Sequence, residues 1–146
     1  EQIIHFPEFF SVGQHCIQCC REAMARNYVP EVALACLLHD GSEAYLADVT
    51  RPVKKNMTMY LQIEEQLQNM IYHKFLGYVP EGEEAVLVKN IDDACLYYEF
   101  DHFMGEKLFP VEPVMMGSPS YEVQPMKDVE EEFLALYHQV KKQMEK

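Results

Sequence analysis

With 146 residues, 49% of them apolar, the chain is long enough for one domain with its own core and needs neither disulfides nor a structural metal to fold. A net charge of −12 excludes a broad nucleic-acid surface, which requires a basic stripe. Charged residues interrupt every apolar stretch short of the roughly 18 to 20 residues a membrane span needs, so the expectation is a cytoplasmic protein without membrane contact.

The chain opens at Glu1 with no signal-peptide pattern, and the missing initiator methionine suggests an incomplete or trimmed N-terminus. Ser11 and Gln14 stand at capping-box spacing, and Cys16, Ile17, Cys20, Ala23 and Met24 then recur with helical period, predicting a helix over 11–27. Pro30 suits the first turn of a second helix, which is apolar nearly all round from Val32 to Leu38 and is expected to run through the core. His39 and Asp40 follow at its C-terminal end, where Gly41 permits a stop or bend before helical spacing resumes at 42–46.

Arg51-Pro52 ends that pattern. Leu61, Ile63, Leu67, Met70, Ile71 and Phe75 then mark a long amphipathic helix ending near Gly77. Another helix is predicted over 82–104, with Val86, Leu87, Ile91, Ala94, Cys95, Tyr97 and Tyr98 apolar and Asp92-Asp93 at its middle. The stretch after it carries four of the eight prolines and reads as an irregular loop. A charged surface helix with Phe133, Leu134 and Leu136 facing inward completes the chain. The fold class is therefore all-α, a compact bundle of about five or six helices. Residues 1–146 read as a single domain, with a motif-bearing core at 11–104, a Pro-rich loop at 105–127 and a C-terminal helix at 128–145.

Five cysteines, an odd number, all lie in apolar helical patterns and read as small buried hydrophobes. Cys16, Cys19 and Cys20 resemble half of a zinc site, but no second pair follows at ligand spacing.

The chemistry centres on His39-Asp40. A buried carboxylate at the end of so apolar a helix is costly without a partner, and a divalent cation supplies one. Imidazole nitrogen and carboxylate oxygen suit Zn, Mn, Fe, Co or Ni. Adjacent helical residues point about 100° apart, so both reach one ion only near a helix end. Two ligands hold an ion weakly, and the inward-facing polar residues on neighbouring apolar helices are His15 and Asp92, with Asp93 the alternative to Asp92.

Together, His15, His39-Asp40 and Asp92 form the H…HD…D pattern of the HD-domain metal-dependent phosphohydrolases. The likeness extends through residues 11–15 (Ser-Val-Gly-Gln-His) and 37–54 (Leu-Leu-His-Asp-Gly-Ser-Glu-Ala-Tyr-Leu-Ala-Asp-Val-Thr-Arg-Pro-Val-Lys). Those stretches resemble the small bacterial and phage members, including the 5′-deoxynucleotidase branch. The family pattern of an apolar residue, Asp and a later Glu fits Ile91-Asp92 and Glu99 better than a register on Asp93.

The resemblance implies an HD-domain bundle with one divalent ion (Mn, Co, Zn, Fe, Ni or Mg) held by His15, His39, Asp40 and Asp92. Glu43 and Asp48 fall on its catalytic positions. Glu43 lies one turn beyond His39 and can orient a water or accept its proton; Asp48 is the partner for a sugar hydroxyl or leaving oxygen. Arg51 and Lys54 are candidate phosphate contacts, and deoxynucleotidase-type members usually carry a further phosphate-binding arginine upstream. The expected reaction is hydrolysis of a deoxyribonucleoside 5′-monophosphate by metal-activated water. Release of triphosphate from a deoxynucleoside triphosphate is a close variant, and a catalytically silent metal- and nucleotide-binding sensor is the reading from another class. The expected partner is a small nucleotide, not nucleic acid or membrane, with a homodimer as the candidate assembly.

Overall fold

The computed structural model describes residues 11–41 and 57–145, the side chains of Met57 and Tyr60 excepted. These residues form five α-helices: α1 (Val12–Ala25), α2 (Pro30–Leu38), α3 (Met57–Phe75), α4 (Glu83–Met104) and α5 (Met126–Met144). No strand occurs among the described residues. The molecule is thus all-helical, as expected, and no described helix is long and apolar enough to cross a membrane.

The centre of the bundle is α2, which packs against each of the other four helices. Its sequence dictates this, because every residue from Val32 to Leu38 is apolar and every one is buried. Around it, Ile17, Cys20 and Ala23 of α1, Ile71 and Tyr72 of α3, Val88 and Ile91 of α4, and Leu136 and Val140 of α5 form one continuous core. All five cysteines are buried free thiols.

Helix ends differ from expectation by a few residues. Ser11 is the N-cap of α1, its Oγ accepting from Gln14 N–H at 3.1 Å. The Gln14 side chain, at the capping-box position, donates its Nε2 to the Glu122 carbonyl at 2.9 Å. Helix α4 stops at Gly105, whose left-handed φ of 69° is the usual glycine C-cap. Helix α5 begins two residues early, directly after Pro125.

Some apolar residues expected inside lie outside. On α3, Leu61, Ile63 and Met70 are exposed while Ile71, Tyr72 and, just past its end, Leu76 are buried. The same holds for Val86 of α4 and Leu134 of α5, where Val129, Leu136 and Val140 form the buried stripe.

The Pro-rich segment after α4 is irregular, as expected, and its backbone is tied down by a stripe of polar side chains on α1. Gln14, Gln18, Glu22 and Arg26 follow one another at four-residue intervals, which places them on one helix face. They bind Glu122 O (2.9 Å), Ser120 O, Met116 N and Gly117 N (both 2.8 Å), and Val114 O (2.8 Å) in turn, so the segment runs antiparallel to α1. Glu22 is only 2% exposed and also receives Arg26 Nε at 2.7 Å, so its charge is buried but fully partnered. Glu22→Ala leaves those donors unpaired, and a loss of about 3–5 kcal/mol is expected. Urea unfolding measures it, and a loss below about 1 kcal/mol would mean that the clasp contributes little.

Candidate metal centre

Three helices bring the polar residues together. His15 lies in the first turns of α1, Asp92 at the middle of α4, and His39-Asp40 directly after α2, with His39 itself the C-cap. Gly41 does not adopt a left-handed conformation. A side chain there would meet Ile71 of α3 at 3.0 and 3.3 Å, so glycine lets α3 close against the turn that carries the His-Asp pair. Gln68 of α3 reinforces the junction, its Nε2 donating to the Leu38 carbonyl at 2.8 Å.

Both imidazoles are held at one nitrogen and present the other to the same place. His15 Nδ1 faces the two carboxylate oxygens of Glu99 at 2.9 and 2.8 Å, and Glu99 is 2% exposed. His39 Nδ1 donates to the Cys36 carbonyl at 2.6 Å. Those partners fix the Nδ1–H tautomer and leave each Nε2 toward the site. The two Nε2 atoms then converge on one oxygen, Asp92 Oδ1, at 2.7 Å from His15 and 3.0 Å from His39.

Asp40 Oδ2 completes the cluster at 3.4 Å from His39 Nε2 and 3.8 Å from His15 Nε2. These separations are long for hydrogen bonds, although they approach the ~3.3 Å between ligand atoms of a tetrahedral ion bound at about 2.0–2.1 Å. Cys19, one turn along α1 from His15, places its Sγ 3.6 Å from the same His15 Nε2. The donor atoms of His15, Cys19, His39 and Asp92 all lie within 4.8 Å of one another, as do those of Cys16, His39 and Asp40. This group of donors fits a metal ion.

Charge gives the same answer. Burial lowers the His15 pKa, but Glu99 and the hydrogen bonds to Asp92 and Glu99 outweigh it, leaving the group well above its ordinary value. For His39, burial is likewise outweighed, here by Asp40 and the bond to Asp92. Burial raises Asp92, yet the hydrogen bonds from His15 and His39 win and hold its carboxyl well below the usual range. Three carboxylates around two imidazoles thus demand positive charge, which protons supply when no cation is bound and a divalent ion supplies when one is.

The ambiguity between Asp92 and Asp93 resolves geometrically. Asp93 turns away from the site and pairs with Lys89, one helical turn earlier, at 3.0 Å. Among the described residues, the mouth of the site is lined by Asp40, Leu61, Glu64, Glu65, Gln68 and Asn69, an acidic rim. A larger concavity of about 610 Å³, between Tyr28, Asn90, Asp93 and Phe109, holds none of the site's donor atoms. Glu43, Asp48, Arg51 and Lys54 lie outside the described residues, as does the helix expected to resume at 42–46.

Two residues acquire roles that sequence reasoning did not give them. Glu99 stands seven residues, two helical turns, after Asp92, so the pair shares one face of α4 with His15 between them. Cys19 stands at the corresponding one-turn spacing from His15 on α1.

No family model and no solved structure matches the chain. It is 35% identical over 72 residues to Uncharacterized protein YfdR of Escherichia coli (strain K12). That alignment covers 49% of this chain and 37% of YfdR, so the chain spans little more than a third of its relative's length.

Proposed function

We propose that the protein is a metal-dependent phosphohydrolase acting on nucleotides, and that its substrates are deoxyribonucleoside 5′-monophosphates. The observation that carries this reading is the convergence of His15 Nε2 and His39 Nε2 on one Asp92 oxygen, with Asp40 alongside. The resemblance of residues 11–15 and 37–54 to HD-domain phosphohydrolases supplies the reaction class. His15, His39, Asp40 and Asp92 would hold one divalent ion. When bound, such an ion lowers the pKa of water and offsets charge developing on phosphoryl oxygens.

The remaining chemistry belongs to the chain. Glu99 and the Cys36 carbonyl keep both imidazoles in the tautomer that offers Nε2. Burial of His15 and Glu99 excludes bulk water from the inner side, while Asp40, with a side chain 34% exposed, marks the side open to substrate. In this reading Glu43 orients the attacking water and takes its proton, and Asp48 meets the sugar or leaving oxygen. The acidic rim of Glu64 and Glu65 repels phosphate, so Arg51 and Lys54 are assigned the compensating positive charge.

The test is turnover by metal-loaded protein across a panel of deoxy- and ribonucleotides, with inorganic phosphate and triphosphate assayed separately. Phosphate release from deoxyribonucleoside monophosphates is the expected outcome. Triphosphate release would transfer the site to deoxynucleoside triphosphates. No turnover with metal bound would overturn the enzyme reading and leave a nucleotide or metal sensor.

A further inference from the structure

Metal sites built only from imidazole and carboxylate accept a wide range of first-row ions, whereas a thiolate among the donors narrows that range toward softer ones. In this protein a thiol borders the site on its buried side. Cys19 is completely buried, sits one turn along α1 from His15, and directs its Sγ at the same His15 nitrogen that faces Asp92.

The distance is informative. Ligands at about 2.0–2.1 Å (nitrogen) and 2.3 Å (sulfur) from one tetrahedral ion stand roughly 3.6 Å apart. Cys19 Sγ and His15 Nε2 are 3.6 Å apart, and His39 Nε2 and Asp92 complete a set within 4.8 Å. Neighbouring Cys20 is equally buried but belongs to none of the donor groups found among the described residues. Cys16 falls in a separate group with His39 and Asp40.

We propose that Cys19 is an inner-sphere ligand, and that the site is consequently selective for a borderline-soft divalent ion such as zinc or cobalt over manganese or magnesium. The inference rests on the metal-centre reading above and adds the ion's class to it. On binding, the Cys19 thiol gives its proton to solvent and the sulfur lone pair forms the metal–sulfur bond, with no change of oxidation state. The Cys19 thiolate then joins the two imidazoles and the Asp40 and Asp92 carboxylates as a fifth donor, and the three negative charges more than neutralise a divalent ion. Asp40, the more exposed of the two aspartates, lies on the side open to substrate.

Cobalt(II) titration of the metal-free full chain tests this spectroscopically. The expected result is a sulfur-to-cobalt charge-transfer absorption in the near ultraviolet in the unmodified protein. It should disappear in Cys19→Ser and Cys19→Ala and persist in Cys16→Ser and Cys20→Ser, with circular dichroism confirming each variant's fold. Zinc and cobalt affinity should fall at least tenfold in Cys19→Ser, while manganese affinity changes little. Cobalt binding without the absorption band, or a band that survives in Cys19→Ser, overturns the role of Cys19 and leaves the metal centre intact. Failure of cobalt, zinc and manganese alike to bind the unmodified chain overturns the metal centre itself.

Discussion

Asp92→Ala is expected to remove metal binding and turnover together while leaving a folded helical protein. Asp92 Oδ1 is the one oxygen that both imidazole Nε2 atoms face, so its loss dismantles the site at its point of convergence. Loss of a ligand should exceed the 10- to 100-fold effect typical of residues that only orient ligands, so a fall in affinity of more than ~100-fold is predicted. Isothermal titration with zinc or manganese measures it, and circular dichroism checks the fold. The comparison with Asp93→Ala is decisive, because Asp93 pairs outward with Lys89 and its removal should leave affinity within about twofold. Equal losses in both variants would show that the assignment of Asp92 is wrong.

Glu99 produces the second large effect by acting through His15. Its buried carboxylate holds His15 Nδ1 through both oxygens, fixing the ring's orientation and making the opposite nitrogen a better donor. Glu99→Ala should therefore weaken metal binding by about 10- to 100-fold without removing any ligand. Glu99→Gln is the informative companion. An amide oxygen still accepts from Nδ1–H, so the tautomer survives while the charge is lost, and affinity should fall to an intermediate value. A purely structural glutamate would instead lower thermal stability in both variants and leave the metal affinity of the folded protein unchanged.

The two predictions differ in how far the sequence alone could reach them. His15 and Asp92 were legible because each interrupts an otherwise apolar helical pattern, although Asp93 beside Asp92 left its register open, and His39-Asp40 because it follows the most apolar helix among the described residues. Glu99 entered the sequence reading only as the end of a family pattern. Its partnership with His15 spans 84 positions, and no local periodicity signals that. Cys19 was hidden differently: a thiol in an apolar stripe has the composition of core, and it is core, yet it also faces a histidine nitrogen.

Helix existence followed from periodicity, while facing was less secure where apolar residues occupy more than one face. On α3, the stripe Leu67, Ile71 and Phe75 packs against the core, whereas Leu61, Ile63 and Met70 share the helical spacing but point outward. The Gln14, Gln18, Glu22 and Arg26 stripe formed no part of the sequence expectation, although the four residues stand at four-residue intervals. Its meaning depended on a segment about a hundred residues later, whose carbonyl and amide groups need those side chains.

The metal centre depends on a single place, the point toward which His15 Nε2, His39 Nε2, Asp40 and Asp92 all face. Anomalous diffraction from crystals grown with zinc or cobalt, recorded on either side of the metal absorption edge, locates the ion directly. One peak about 2.0–2.2 Å from both Nε2 atoms and from Asp92 is predicted. The absence of a peak there, or its appearance only among exposed carboxylates such as Glu64 and Glu65, would contradict it.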